Sequence, residues 1–310
     1  MKKTILIASV LLMGTIGASQ AQGLYAGVMG GYGLAAVGQS NPSTTQSTTT
    51  NNNMQTGVNT TSSTNGFTSA KSSLGKGVNI GIYGGYMFSK YLGAELEISD
   101  VMGGTSTSTS TNTTATTTTD PTGNVSNSAS SDDNTYTYKG SMIRITPAIR
   151  LQVGDGNIHP YMVAGIIIGV SPKYTSEDVE TTTATGSPST SFDEITTYNG
   201  GSSMGFHSAL GVSYQLNDKI SIFGEISANY QNYAASKGII TTATYNGADQ
   251  LPGMTTSQKE TDYSSSASTT TTNGNPASPA SPQTAAYQYQ AFSSLGFNVG
   301  LNFNFGGASK

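Results

Sequence analysis

Residues Tyr287–Phe305 read Y-Q-Y-Q-A-F-S-S-L-G-F-N-V-G-L-N-F-N-F, and the reading of this stretch decides the fold. With a period of two, Leu295, Phe297, Val299, Leu301, Phe303 and Phe305 fall on one face. Gln290, Ser294, Gly296, Asn298, Gly300, Asn302 and Asn304 fall on the other. Side chains alternate across a strand, so this pattern is a β-strand with one oily face and one polar or small face. It is longer than the mean strand of about five or six residues. It reaches the roughly 9–11 residues that cross a bilayer as a strand.

Such a strand needs partners, and working outward from it the same alternation recurs. The chain is expected to form strands at about 24–34, 78–88, 91–100, 136–153, 161–171, 204–216 and 219–231, before the last at 287–305. Leu92, Ala94, Leu96 and Ile98 alternate with Gly93, Glu95, Glu97 and Ser99. Ile143, Ile145, Ile149 and Leu151 alternate with Arg144, Thr146, Ala148, Arg150 and Gln152. Pro147 cannot donate to a ladder, so it requires a bulge or a locally unpaired site. The centre of 161–171 is nearly all apolar or glycine, and its register is not fixed by the pattern.

Between these segments lie long loops rich in Ser, Thr and Asn at about 39–75, 103–134, 174–201 and 235–286. The connections alternate long and short, so a meander would put all long loops at one rim and the short turns and both termini at the other. Outer-membrane barrels have this asymmetry, and closure removes unpaired edges. The expected fold class is all-β: an eight-stranded antiparallel up-and-down transmembrane β-barrel with four long extracellular loops and periplasmic termini. The loops carry too little apolar surface to offset ordering entropy and are expected to be mobile. Threonine's β-propensity leaves room for strands to run into the loop bases.

Lys2 and Lys3 precede an apolar run from Ile5 to Ile16, with small residues at Ser19 and Ala21. That order marks residues 1–21 as an export signal, leaving 22–310 as the barrel. The chain has no cysteine, which excludes disulfides and thiol chemistry. Its net charge of −4 offers no basic footprint for nucleic acid. Charged residues make up 10%, well below the usual quarter or so.

The segment Gly84-Gly85-Tyr86-Met87-Phe88, a short turn, and Leu92-Gly93-Ala94-Glu95-Leu96-Glu97 resemble the OmpA-like or opacity-type small outer-membrane proteins, the porin-family outer-membrane β-barrel domain. Gly211-Val212-Ser213-Tyr214-Gln215-Leu216 followed by Phe223-Gly224-Glu225 is similar to that family's second-last hairpin. The resemblance covers the strands and none of the loops. It implies a barrel and does not specify a ligand. The chain stops at Lys310, so no cell-wall-binding domain is expected. Phe303 and Phe305 stand near the end where the family carries a terminal aromatic, here followed by Gly306–Lys310.

The inward-facing charges are Glu95, Glu97, Arg144, Arg150 and Glu225, and they are expected to form a salt-bridged plug, because so small a barrel is filled by its own side chains. A gated ion path is the alternative. His207 is expected inside among Gly and Ser, whereas His159 reads as a solvated turn residue and Asp132-Asp133 as a solvated loop pair. No nucleophile, metal ligand set or cofactor motif accompanies them. The expected role is a structural or adhesin-like surface protein and not an enzyme. The runner-up is a small porin, followed by a lipid-modifying barrel enzyme. Expected partners are outer-membrane lipid and lipopolysaccharide around a monomer, and a host or surface ligand at the loops.

Overall fold

Every segment with the oily/polar alternation becomes a strand. The computed structural model describes residues 23–36, 50–53, 58–62, 67–68, 73–119, 124–266 and 280–305. The expected export signal, much of the expected first loop and the residues after Phe305 lie outside the described residues. In chain order the strands are β1 (Leu24–Ala35), β2 (Thr50–Asn53), β3 (Val58–Ser62), β4 (Phe67–Thr68), β5 (Gly77–Met87), β6 (Leu92–Gly103), β7 (Ser106–Thr119), β8 (Val125–Gln152) and β9 (Ile158–Ala184). They continue with β10 (Ser187–Asn199), β11 (Ser202–Asn217), β12 (Ile220–Ala234), β13 (Lys237–Tyr245), β14 (Ala248–Asp249), β15 (Glu260–Ser264), β16 (Gln283–Ala286), β17 (Tyr289–Ala291) and β18 (Ser294–Asn304). A one-turn helix, Thr256–Lys259, precedes β15.

The protein is all-β, and its strands make one 18-stranded sheet whose pairings are antiparallel apart from β15 with β16. The expected count of eight strands is therefore corrected. The eight expected segments are present as β1, β5, β6, β8, β9, β11, β12 and β18, and each pairs with the next. β18 then pairs with β1, so the series of pairings returns to its start. A path through directly opposed residues runs Tyr25, Gly85, Glu95, Ala148, Gly165, His207, Asn229 and Ser294. It re-enters β1 at Ala35, ten residues beyond Tyr25.

Nine of the other ten strands come from the expected loops, and this is the main correction; β17 comes from the expected last strand. Residues 103–134, read as a loop, supply β7 and the first half of β8. Residues 174–201 supply the far half of β9 and β10, and residues 235–286 supply β13–β16. β8 and β9 run on past the ring and stay paired from Ser130–Ala184 to Ser141–Lys173. β7 flanks them on one side and β10 with β13 on the other. Threonine and serine give this outer sheet its backbone preference, but both of its faces are mostly polar, so no sustained apolar alternation announces it. Tyr136 and Tyr138, Phe192 and Ile195, and the Asn246-Gly247 pair are the signals that could have found it. Asn246 and Gly247 both take positive φ, 48° and 78°, in the two-residue turn between β13 and β14.

Two finer corrections follow from packing. The stretch 287–305 is not one strand: pairing breaks at Phe292 and Ser293, where the Phe292 ring turns inward and is 0% exposed. In β9, Ser171 has φ 48°, and pairing with β8 slips by one residue between Ser141 and Ile143. This bulge changes which face is buried, from Tyr161, Val163 and Ile167 below it to Pro172 and Tyr174 above. Pro147 faces Leu96 of β6, while its pairing with β9 is interrupted between Ile145 and Ala148, as proline's missing donor requires.

Around the ring, burial is the reverse of a water-soluble protein's. The outward side chains are apolar and exposed: Phe206 68%, Leu210 65%, Ile226 61% and Phe297 58%. The inward ones are mostly polar and buried, among them Arg144, Arg150, Glu225, Gln231 and Asn298. Four inward aromatics fill the lower interior, and each lies directly across the ladder from an inward glycine: Tyr25 from Gly85, Tyr83 from Gly27, Tyr161 from Gly211 and Phe223 from Gly300. A Cβ at Gly27 or Gly211 would come within 2.4 Å of the facing ring. The glycines are the space into which the rings lie. Gly211→Val should therefore cost about 1–3 kcal/mol by overpacking, read as a lower urea midpoint in detergent. Gly224→Ala, an outward position with no atom within 4 Å of the added Cβ, should leave the midpoint unchanged.

Candidate functional site

The ring interior brings the five predicted charges and His207 together. Their partners differ in part from the expected pairing. Arg150 and Glu95 form an ion pair at 3.2 Å with both side chains almost fully buried. The Arg150 guanidinium also stacks 3.8 Å from the Tyr161 ring centre, and Tyr25 donates its hydroxyl to Glu95 at 2.8 Å. Arg144 does not join this network. Its Nε donates to Gln231 Oε1 and its Nη2 to the Phe292 carbonyl, both at 2.8 Å. Among the described residues it makes no ion pair. Neither arginine has a glutamate directly opposite: Gly93 faces Arg150 and Ser99 faces Arg144, and Glu95 reaches Arg150 from two residues along its strand.

Glu225 is held by neutral donors, accepting from the Tyr161 hydroxyl at 2.8 Å and from Asn298 Nδ2 at 2.9 Å. His207 Nδ1 lies 2.8 Å from Asn229 Oδ1, and Asn229 Nδ2 donates to Ser294 Oγ. Ser208 beside His207 is exposed on the outer face. Hydrogen-bonded pairs of this kind are what buried charges and amides require.

Three levels occupy the interior. At the long-loop end Phe292, Tyr233, Leu74 and Met142 pack into a buried apolar cluster that Gly140 admits by lacking a side chain. At mid-height Glu95, Glu97, His207 and Glu225 surround a void of about 10 Å³, room for about one water molecule. At the short-turn end a cavity of about 160 Å³ opens, with Arg150, Tyr25, Gln152 and His159 in its wall. His159 is thus not the solvated turn residue the sequence implied. It lies in β9 opposite Ser213, with its Nδ1 buried.

The outer sheet is anchored to this interior by a run of aromatic rings. Phe292 meets Tyr233 edge-on at 5.8 Å, Tyr233 meets Tyr174 at 6.0 Å, and Tyr174 stacks on Tyr198 at 4.2 Å. Beyond the rings one face collects Asp178, Glu180 and Glu194 on adjacent strands. Asp132 and Asp133 lie in β8, and Asp132 accepts a hydrogen bond from Thr182 at 2.8 Å. Among the described residues no group of three or more His, Cys, Asp or Glu is placed to hold a metal ion.

Two outcomes are expected. Arg150→Met should cost about 3–5 kcal/mol because it strands a buried Glu95, and adding Glu95→Gln should restore most of that loss in the urea midpoint. In the outer sheet, burial, with Glu180 and Glu194 adding repulsion, raises the Asp178 carboxyl from 3.8 to about 6. The folded form then binds the proton more tightly than the unfolded chain. Its stabilising contribution is complete below about pH 4 and disappears as pH rises through about 6. Amide exchange in the outer halves of β9 and β10, corrected for intrinsic rates, should be slower at pH 4.5 than at pH 7.5, and Asp178→Asn should remove the difference.

Comparison with protein-family models finds no match to this chain, and comparison with curated protein sequences finds none either.

Proposed function

We propose that the protein is an outer-membrane surface protein, with the ring of eight strands as its transmembrane β-barrel and the outer sheet as its external contact surface. One observation carries this reading: an exposed apolar belt surrounds a buried polar interior. In water that arrangement is unfavourable by about 25 cal/mol for each Å² of apolar surface left exposed, whereas hydrocarbon reverses the preference.

The geometry supports the same reading. A ten-residue stagger over eight strands corresponds to a tilt of about 41° from ordinary strand rise and spacing. An eleven-residue strand at that tilt climbs about 28 Å, close to the apolar band of roughly 25 Å on such barrels. Aromatics stand at both rims of the belt, with Tyr91, Tyr214 and Phe303 near the short turns and Tyr32, Phe206 and Tyr230 near the long connections. Outer-membrane lipid and lipopolysaccharide are then the surroundings of the belt. The outer sheet, mostly polar on both faces and rooted in the aromatic run, suits a stable platform for a host or surface ligand.

The packed interior favours this structural and contact role over a pore, since the waist holds about 10 Å³. It gives no support to a barrel enzyme either, since His207 Nδ1 is engaged by Asn229 and the neighbouring Ser208 points outward. Because the chain lacks cysteine, single cysteines report cleanly. On intact cells a membrane-impermeant maleimide should label Thr111→Cys in β7 and fail to label Leu210→Cys in the belt. Equal labelling of both would count against the proposed topology. Replacing residues 106–138 by a short turn should leave an assembled barrel and abolish attachment of cells to their target surface. Unchanged attachment would remove the contact role.

A further inference from the structure

We propose that the cavity at the short-turn mouth is a binding site for a small oxyanion, a carboxylate or phosphate group, anchored by Arg150. The cavity holds about 160 Å³, more than ten times the space one water needs, so a ligand of several heavy atoms fits. Among the described residues its only formally charged wall group is Arg150, and none of the lining side chains is a carboxylate. Glu95, the partner of Arg150, stands outside the lining.

The anchor is preorganised. Stacking on Tyr161 at 3.8 Å fixes the guanidinium plane, and only Nη1 is engaged by Glu95. A guanidinium carries five donors in a planar fork, so an edge remains for an oxyanion at the cavity floor. The uncharged wall groups complement it. Asn302 Oδ1 accepts from the Tyr83 hydroxyl, which leaves the Asn302 NH₂ as the free end of that amide. Gln152 and Gln215 bring further amide donors to the wall. The His159 ring also lines this wall.

The test uses the full exported chain folded in uncharged detergent micelles, titrated with inorganic phosphate and separately with acetate, with side-chain amide and imidazole NMR signals followed. Saturable shifts at Gln152, Gln215, Asn302 and His159 are expected, with methylammonium giving none. Short-chain phosphatidate in the same micelles separates the sources: saturation by phosphate or acetate identifies a free solute, and saturation by phosphatidate alone a lipid headgroup. Either upholds the site. The Arg150→Met/Glu95→Gln pair, which removes both charges together, should weaken binding at least tenfold. Should that pair not fold, Gln152→Leu/Gln215→Leu, nearer the open mouth, should weaken it at least fivefold. The proposal is overturned by the absence of saturation with all three anions. It is equally overturned by affinity unchanged in the folded variants, by shifts located away from the cavity, or by equal saturation with methylammonium.

Discussion

Backbone N–H and C=O groups along a strand edge must find partners, and in this chain the requirement is met by closing the pairing on itself. Once β18 hydrogen-bonds to β1, none of the eight ring strands has a free edge over its paired span. Closure divides the side chains into two sets by the period of the strand alone. One set faces a narrow interior and the other faces away, and the sequence puts its polar groups in the first and its oily ones in the second. That single division accounts for the glycine-aromatic pairs, the buried ion pair and the exposed belt together.

The interior shows how little volume such a ring leaves. Rings fit only because glycine stands across from each of them, and the two arginines are used differently although each has a glutamate two residues from its facing position. Arg150 meets a carboxylate and two aromatic rings, while Arg144 is spent holding Gln231 and the backbone at Phe292, the residue that closes the long-loop end. A charge and a large ring are thereby coupled, so the apolar cap at that end is positioned by a polar contact below it. Among the described residues the short-turn end has no equivalent cap, and it retains an open polar cavity.

Most of the ring was legible because strands with one oily face announce themselves at period two. Ile220, Ile222 and Ile226 set against Ser221, Glu225 and Ser227 leave one solution, and the structure adopts it. The outer sheet was not legible by that rule. The run from Ser106 to Thr119 is polar at every position but Ala115, and a strand solvated on both faces has no oily period to read. Its ordering rests on β-branched backbone preference, on continuity with β8 and β9, and on the tyrosines that tie it to the ring. Of the interior network, the sequence identified the inward charges but could not assign their partners, since pairing depends on stagger across strands. His159 was misplaced because strand β9 begins three residues before the expected start, which carries the ring into the cavity wall.

Contact between the outward belt and hydrocarbon, which the proposed function requires, is directly measurable. Nitroxides placed singly at Leu210, Ile226 and Phe297, with Thr111 as the outer-sheet reference, report collision with oxygen and with a water-soluble nickel chelate in lipid bilayers. The three belt positions should be open to oxygen and closed to nickel, with Thr111 showing the opposite. Free access of nickel to all three belt positions would contradict a lipid-facing belt.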